Sequence, residues 1–237
     1  MSRFWGTVGH MFILGVPRCN ETDDIFGQAI AAMRASTLPP TAALIIDNGD
    51  APLGDVPGFE VRRPPENVGC AGAWNMICRA AFDEFHFDSA VLVNADCNVL
   101  PDTFASLFAT NCGFVCAHAF ECFRIDREVW LRVGPFDTDF YPVYWEDTDY
   151  RRRLHLAGVS IEEWPVEEVE VIYPGRGRYR SGIVHGKAAT EYQGWTGDKQ
   201  AWFQQRLVAN EQRYIDKWGG IPGAERFEVP FDGRSLK

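Results

Sequence analysis

Two adjacent carboxylates near the middle of the chain, Glu146 and Asp147, offer the most direct chemistry in the sequence. They follow the aromatic pair Tyr144-Trp145 and stand at the start of a predicted helix. A carboxylate beside aromatic side chains loses solvation, and its pKa can then suit removal of a proton from a substrate hydroxyl. Acidic residues are also common in a first helical turn, where they favour the positive end of the helix dipole. The pair therefore predicts either a catalytic site, with Asp147 as general base, or a helix cap.

A third acidic residue, Asp96, lies in the triplet Asn94-Ala95-Asp96, directly after an apolar segment. Magnesium or manganese that bridges a nucleotide diphosphate takes oxygen ligands and often uses only one or two protein carboxylates. Asp96 is thus a candidate metal ligand, although Asn and Asp also favour strand-ending turns. His185 could add an imidazole nitrogen to the same site. A hydrogen-bonded core histidine is the alternative for His185, because Ile183 and Val184 precede it.

A glycine-spaced segment, Asn67-x-Gly69-x-x-Gly72-x-x-Asn75, precedes or opens a helix. Such a turn can aim backbone N–H groups at an anion or a ribose. Glycines required for tight packing of a helix on a sheet give the same pattern, so both interpretations stay open.

The chain has seven cysteines, and the segment with Cys112, Cys116, His118 and Cys122 could supply four zinc ligands. It lacks a paired Cys-x-x-Cys and has the pattern of a buried strand, so we expect buried thiols instead. An odd cysteine count inside apolar segments also favours reduced thiols over a disulfide framework.

Bulk composition limits the class of protein. With 237 residues and 46% hydrophobic content, the chain can bury a full core as one domain. The net charge of −10 argues against general affinity for nucleic acid or anionic membranes. We find no transmembrane segment and no apolar secretion signal, so we expect a cytoplasmic location.

The elements that must position these residues follow an α/β pattern. Polar clusters come directly after the second and fourth predicted strands, which places them at the ligand-binding edge of an α/β sheet. The second half is less regular, with one long extended segment and a basic stretch in which Arg176, Arg178 and Arg180 alternate and would share one face. The predicted strands are 11–16, 42–46, 59–62, 90–93, 159–163 and 168–173, with extended structure over 113–125. The predicted helices are 23–35, 73–85, 127–133, 148–157 and 200–218, with a polar loop over 190–198.

Together and in this order, the motifs resemble those of the family 2 inverting glycosyltransferases of the GT-A fold, in particular their rhamnosyltransferase-like branch. The resemblance spans about residues 11–219. The motifs that carry it are Asp47-Asn48-Gly49, the segment 67–75, Asn94-Ala95-Asp96, Gly134-Pro135-Phe136-Asp137, Glu146-Asp147-Thr148-Asp149 with Arg153, His185 and Lys217-Trp218-Gly219.

The resemblance implies a single GT-A domain over residues 1–237: a mostly parallel Rossmann-like sheet flanked by helices, with a smaller acceptor-side sheet. Residues 11–100 would form the nucleotide-sugar donor half and residues 101–219 the acceptor and catalytic half, followed by a tail over 220–237. The family's metal motif often has two or three aspartates, whereas this chain has Asn94 at the first position.

Individual roles also follow from the resemblance. Asp147 would be the base, positioned by Glu146, and the metal ligands would be Asp96 and His185. The implied donor-contacting residues are Pro17, Asp47, which would contact the nucleotide base, Asn67, Gly72, Asn75, Asn94, which would lie near the ribose, and Asp96. On the acceptor side we expect Trp145, Trp74 and Arg178, with Tyr144 as a further residue that could stack on a sugar or a base.

The implied activity is a metal-dependent, inverting transfer of a hexose-type sugar from a nucleotide-diphosphate sugar to an acceptor hydroxyl, with Mn²⁺ or Mg²⁺ as cofactor. A saccharide or glycan precursor is the expected acceptor. Compact phage-type enzymes of this kind glycosylate hydroxymethylated DNA bases, and the arginines over 151–153 and 176–180 keep that alternative open. A nucleotidyltransferase would need a phosphate-gripping loop, of which Gly15-Val16-Pro17-Arg18 is a poor version. A non-catalytic sugar-nucleotide-binding protein is the remaining alternative.

Overall fold

A seven-stranded sheet forms the centre of the computed structural model, which describes residues 10–21, 23–117, 120–164, 170–173, 177–180, 183–185 and 197–233. The strand order is β3-β2-β1-β4-β7-β6-β8. The strands are β1 (Phe12–Arg18), β2 (Ala42–Asp47), β3 (Glu60–Arg62), β4 (Ser89–Val93), β6 (Phe114–Ala117), β7 (Cys122–Asp126) and β8 (Glu162–Trp164).

Four strands at one side of this sheet, β3, β2, β1 and β4, run parallel to one another. On the other side β7 is antiparallel to both β4 and β6, and β8 is parallel to β6. The parallel arrangement brings the carboxyl ends of β1, β2 and β4 to one edge, where ligands bind in open α/β sheets.

Helices cover both faces of the sheet because successive strand residues point to opposite sides. Ile13 packs in the cluster that includes α2 and α5, whereas Phe12 and Leu14 pack in the cluster that includes α1 and α3. The helices are α1 (Asp23–Arg34), α2 (Gly69–Arg79), which continues as a π turn over Ala80–Glu84, α3 (Thr103–Phe108), α4 (Arg127–Val133), α5 (Glu146–Leu156) and α6 (Gly197–Trp218).

Two small antiparallel sheets lie outside the main one. Strands β9 (Glu170–Tyr173) and β10 (Gly177–Arg180) pair with each other. Strand β11 (Ile183–His185) pairs with β5 (Cys97–Val99), which begins directly after Asp96. The second pairing places His185 opposite Cys97.

The predicted α/β class is confirmed. The extended structure predicted over 113–125 is present as two strands, β6 and β7. Helix α2, however, begins at Gly69 instead of near residue 73, so Gly69, Gly72 and Asn75 lie within the helix and Asn67 precedes it. The sequence analysis missed α3 and β5, which are short, and short elements give too few repeats for a periodic signal. Most of the predicted loop over 190–198 lies outside the described residues.

The long C-terminal helix α6, of 22 residues, holds α5 in place. Its last turns form a small core in which Trp218 and Tyr214 pack with Phe140 and the partly buried Trp145. Trp218 Nε1 also donates a hydrogen bond to Asp149 of α5 at 2.9 Å. Helix α6 therefore fixes the helix that begins with Glu146 and Asp147.

Within the described parts of the chain, we find no helix with the length and apolar composition needed to cross a membrane.

Candidate active site

A cavity of about 410 Å³ opens at the carboxyl edge of the parallel strands. It receives residues from the ends of β1, β2 and β4, from the start of α2, from the β6–β7 connection and from the start of α5. The lining residues are Pro17, Arg18, Cys19, Glu21, Asn48, Asn67, Gly69, Cys70, Trp74, Asn94, Ala95, Asp96, Phe120, Glu121, Pro142, Val143, Tyr144, Glu146 and Asp147.

The start of α2 is tied to the cavity wall by its own backbone N–H groups. The side chain of Asn48 accepts from Val68 N–H at 3.1 Å, and Asn67 accepts from Gly69 N–H at 2.8 Å. Cys70 N–H donates to the carbonyl of Pro142 at 2.8 Å. The first amides of the helix are therefore used within the protein, and they join the two halves of the chain around the cavity.

Gly69 is required at this junction for two reasons. Its φ of +70° lies in the left-handed region, which glycine adopts at low cost. A Cβ here would also lie 2.7 Å from the Pro142 carbonyl oxygen. A side chain at position 69 would therefore push α2 away from the segment that leads into α5.

Glu146 is the more enclosed of the two adjacent carboxylates, with only 3% of its surface exposed. Burial and the nearby charge of Asp147 raise the pKa of Glu146 to about 8. A hydrogen bond from the Cys70 thiol acts in the opposite direction. The Oε2 atom of Glu146 has no hydrogen-bond partner among the residues that the structure describes. At neutral pH this side chain is therefore mostly protonated and can donate a hydrogen bond.

Asp147 is half-buried in the same wall and keeps better hydrogen bonding. Thr148 donates to Oδ1 through its backbone N–H at 2.7 Å and its hydroxyl at 3.3 Å. Burial raises the pKa of Asp147, while the Thr148 bonds and the charge of Arg151 lower it. Desolvation makes the carboxylate a stronger base. Both hydrogen bonds from Thr148 go to the same oxygen of Asp147, Oδ1.

The opposite wall carries a further acid, Glu21. Burial raises its pKa to about 7, opposed by hydrogen bonds from backbone N–H groups, while the charge of Asp96 raises it further. Cys19 N–H donates to Glu21 at 2.8 Å, and Arg18 lies 3.9 Å from the same oxygen. Arg18 Nε is buried and has no hydrogen bond within the described residues. Arg18 is thus a cation in a cavity lining that also contains Glu21, Asp96 and Asp147.

Asp96 reaches the cavity from the end of β4, as the sequence predicted, and Asn94 lines the cavity beside it. The backbone pairing of β5 with β11 brings His185 opposite the residue that follows Asp96. Across the described residues, no three His, Cys, Asp or Glu side chains come together in a way that could hold a metal ion. A cation at Asp96 would need ligand atoms from a bound substrate, which is the usual situation for magnesium.

Of the residues predicted from sequence, Pro17, Asn67 and Trp74 also line the cavity, together with Glu146 and Asp147. Trp74 is only 3% exposed and packs edge-on against Phe123 at 5.2 Å. Trp74 therefore forms a wall of the cavity and offers little open face for stacking.

Asp47 lies behind the cavity, and its carboxylate is fully engaged. It accepts hydrogen bonds from Arg18 at 2.9 Å and Arg63 at 2.7 Å, and from the N–H groups of Gly49 and Leu53. These bonds lower its pKa against the effect of burial. The structure thus places Arg18, and not Asp47 itself, in the cavity lining.

Gly72, Asn75 and Trp145 also lie outside the cavity lining. A Cβ on Gly72 would meet Val68 at 2.7 Å, so this glycine serves packing within α2. Asn75 exchanges two hydrogen bonds with the backbone of Phe136, at 2.9 and 2.8 Å. Trp145 turns away and packs against Tyr214, with ring centroids 5.3 Å apart.

Two predictions concern side chains outside the described part of the structure. Arg178 lies in β10 and His185 in β11, and only their backbone pairing is described. For the zinc hypothesis, His118 is outside the described residues. Cys112 donates to the carbonyls of Phe114 and Ser160, so its thiol is used in backbone hydrogen bonds.

All seven cysteines fall within the described residues, and no disulfide joins any of them.

Several lining residues were missed by the sequence analysis. Arg18 is the last residue of β1 and Glu21 comes three residues later, and the rule that ligands bind at strand carboxyl ends could have identified them. Phe120, Glu121 and Pro142 come from connections with no distinctive local pattern. Only the folded chain brings those three to the cavity.

No known family model matches this sequence, and no curated protein sequence matches it. The α/β fold is nevertheless similar to that of a solved glycosyltransferase structure. One similar structure is the mannosyltransferase PcManGT from Pyrobaculum calidifontis in complex with GDP-Man and Mn²⁺. The TM-score is 0.57 at 20% identity, over 88% of this chain and 65% of that chain. This chain thus covers less than two thirds of the mannosyltransferase's length, and at this identity the similarity shows the fold alone.

Proposed function

We propose that this protein is a metal-dependent glycosyltransferase of the family 2, rhamnosyltransferase-like type. It would move a sugar from a nucleotide-diphosphate sugar to an acceptor hydroxyl. The observation that carries the proposal is the cavity at the strand carboxyl edge, where Asp147 and Asp96 come from opposite halves of the chain. The related fold of a mannosyltransferase in complex with GDP-Man and Mn²⁺ supports the same reaction class.

The acidic character of the cavity fits a hard divalent cation. Asp96 and Glu121 line the cavity near the end of β4, and β11 places the backbone of His185 opposite Cys97, the residue after Asp96. A bound Mn²⁺ or Mg²⁺ would neutralise charge on the leaving diphosphate. We assign Asp96 and His185 as the protein ligands and leave the remaining positions to diphosphate oxygens and water.

In the proposed reaction Asp147 removes the proton from the acceptor hydroxyl. The acceptor oxygen forms a bond to the anomeric carbon, and the bond from that carbon to the diphosphate oxygen breaks with its electron pair. A single displacement inverts the anomeric configuration. Glu146, protonated at neutral pH, avoids placing a second negative charge beside the base.

The donor end of the cavity is formed by Pro17, Arg18, Asn48 and Asn67. Arg18 is the cation at this end, and its guanidinium suits a diphosphate oxygen. Asn48 and Asn67 hold the start of α2 and so shape the pocket around the nucleoside. Asp47 would act indirectly, by accepting a hydrogen bond from Arg18 and so fixing the position of that side chain.

The reduced thiols fit a reducing compartment, and we assign the reaction to the cytoplasm.

The first experiment tests donor use and the base separately. We expect a nucleotide sugar with Mn²⁺ to raise the midpoint of thermal unfolding, because a ligand bound only by the native state stabilises it. Asp147→Asn should keep that shift and lose roughly a hundredfold to ten-thousandfold in transfer rate. Asp83→Asn, at an exposed carboxylate outside the cavity, is the matched control and should transfer normally.

Transfer by Asp147→Asn at a near wild-type rate would reject the base assignment. Stabilisation by a nucleotide sugar without any transfer or donor hydrolysis would instead support a non-catalytic binding protein. No stabilisation by any nucleoside diphosphate would reject the proposed function as a whole.

A further inference from the structure

Aromatic side chains that the transfer chemistry does not use lie in the cavity wall and on the segments next to it. Tyr144 lines the cavity and is 41% exposed, an unusual exposure for a large ring beside buried carboxylates. Trp202 of α6 is 37% exposed and lies edge-on to Tyr141, with ring centroids 6.4 Å apart. We call Tyr141, Tyr144 and Trp202 the aromatic rim.

The aromatic rim is held rigidly. Tyr144 has a φ of 71° and Trp145 a φ of 77°, so two consecutive non-glycine residues adopt the left-handed conformation. Such conformations cost free energy and persist only where the surroundings enforce them. Here Asn210 of α6 enforces them by donating to the carbonyls of Val143 and Tyr144, at 3.1 and 3.2 Å.

The ring of Tyr144 rests on Phe203, with centroids 6.2 Å apart. Tyr144 lines the same cavity as Asp96, Glu146 and Asp147, and 41% of its surface is exposed. The ring thus lies between the carboxyl groups of the cavity and the solvent. A molecule lying on this ring would present its groups to Asp147.

The negative charge of the cavity limits which acceptor molecules can lie against Tyr144. The cavity contains the carboxyl groups of Glu21, Asp96, Glu121, Glu146 and Asp147, and the chain has a net charge of −10. A polyanionic acceptor would be repelled by this field.

The arginines over 151–153, which could have offered phosphate contacts, are engaged by other groups of this chain, although the pair of Arg151 with Glu163 lies at the surface. Arg151 pairs with Glu163 at 2.7 Å, Arg153 pairs with Asp149 at 2.9 Å, and Arg152 donates to the carbonyl of Phe227.

We propose that the aromatic rim is the acceptor subsite and that it receives an uncharged saccharide, whose apolar ring face lies against Tyr144. This inference rests on the proposed glycosyltransferase function. A pyranose has C–H groups on one face that pack well on an aromatic ring, while its hydroxyls remain at the edge. The hydroxyl nearest Asp147 is the one that accepts the sugar. Trp202, with Arg206 placed 5.8 Å from its ring, contacts the outer part of the acceptor.

The test is an acceptor screen with Mn²⁺ and radiolabelled nucleotide sugars. One set of acceptors is a panel of methyl glycosides of mono- and disaccharides, which are uncharged and carry no aromatic group. The other is duplex oligonucleotides that contain 5-hydroxymethylcytosine. Donor hydrolysis without an acceptor is measured in parallel. We expect transfer to at least one glycoside and none to the oligonucleotides.

Variants then test the aromatic rim itself. Tyr144→Ala should raise the acceptor KM about tenfold more than it raises the donor KM, whereas Tyr144→Phe should keep the acceptor KM within about threefold of wild type. Trp202→Ala should give a smaller rise in acceptor KM, and it keeps the proposal testable if Tyr144→Ala does not fold. Phe85→Ala, at an equally exposed aromatic on a distant surface, is the matched control.

Transfer to the oligonucleotides, or to neither acceptor class while donor hydrolysis continues, would overturn the acceptor proposal and leave the proposed function standing. Equal rises of donor and acceptor KM in Tyr144→Ala would overturn it as well, because the ring would then belong to the donor site. Wild-type protein with neither hydrolysis nor transfer would overturn the glycosyltransferase function and, with it, the acceptor subsite.

Discussion

Glu146 and Asp147 are neighbours in sequence, yet their surroundings give them different chemistry. Glu146 is enclosed by Cys70 and the α5 wall, and its pKa rises to about 8. Asp147 is bonded by Thr148 and keeps contact with the cavity. Two carboxylates whose environments separate their pKa values can serve as acid and base at one pH.

The buried Glu146 should make the stability of the protein depend on pH. Its pKa is about 8 in the folded state and near 4.5 when exposed, so the folded state binds an extra proton between these values. The free energy of unfolding therefore falls as pH rises through this window, by at most about 1.4 kcal/mol per pH unit from this group. Glu146→Gln should flatten the dependence, as measured by urea unfolding across the window.

Glu84→Gln is the control for this measurement. Glu84 lies at the surface, and its pKa is lowered by its hydrogen bond from Arg62, so it is ionised in both states above the acidic range. Its removal should leave the slope unchanged near neutral pH. If the free energy of unfolding changed equally with pH in wild type and in Glu146→Gln, Glu146 would not be protonated in the folded state at neutral pH.

At the scale of elements, the attachment of α5 to α6 depends on buried charges. Lys217 of α6 is 5% exposed and contacts Asp137 at 2.8 Å and Asp149 at 2.6 Å. Arg153 pairs with the other oxygen of Asp149. These contacts explain the placement of Gly134-Pro135-Phe136-Asp137 and Lys217-Trp218-Gly219: both segments support the helix that carries Asp147.

Lys217→Met should destabilise the protein by about 3–5 kcal/mol, because it removes the buried cation that Asp137 and Asp149 share and leaves each carboxylate with one arginine. Lys199→Met is the matched control, since Lys199 and Asp50 pair at 3.7 Å with most of both side chains exposed. That change should cost at most about 1 kcal/mol. Denaturant unfolding compares the two, and similar losses would contradict a special role for the buried network.

The contact of β1 with α2 is equally specific. A Cβ on Gly15 would lie 2.1 Å from Cγ2 of Ile77, whereas a Cβ on Gly27 in α1 would meet nothing within 4 Å. Gly15→Ala should therefore destabilise by about 1–3 kcal/mol through overpacking. Gly27→Ala should stabilise by about 0.5–1 kcal/mol, because glycine is costly in a helix.

Thermal unfolding of both variants measures this difference in sign. A stable Gly15→Ala protein would mean that α2 can move away from the sheet. In that case the start of α2, which forms part of the cavity wall, would be less fixed than the structure indicates.

At the scale of the whole molecule, acidic charge should prevent binding to nucleic acid. With a net charge of −10, the protein should give no gel shift with duplex DNA at roughly 0.15 M salt. A shift that weakens steeply with added salt would contradict this expectation. It would also reopen the DNA-modifying alternative.

The sequence by itself predicted the α/β class, which is confirmed, and the residues Asn94, Asp96 and Asp147 that it suggested for a site line one cavity. Both depend on local pattern: buried apolar segments form strands, and polar residues at their carboxyl ends meet at one sheet edge. The predicted start of α2 failed for a local reason, since the Asn67 side chain bonds to Gly69 N–H and begins the helix early.

Which polar groups face the cavity was decided only by the tertiary structure. Asp47 looks like a donor contact in sequence, but Arg63, sixteen positions away, engages it. Asn75 is used by Phe136, and Trp145 by Tyr214. Helix α6 packs against the segment before α5, where Phe203 contacts Tyr144 and Trp202 contacts Tyr141. Hydrogen bonds and ring contacts between distant segments determine these outcomes, and local sequence does not encode which distant partner satisfies a given side chain.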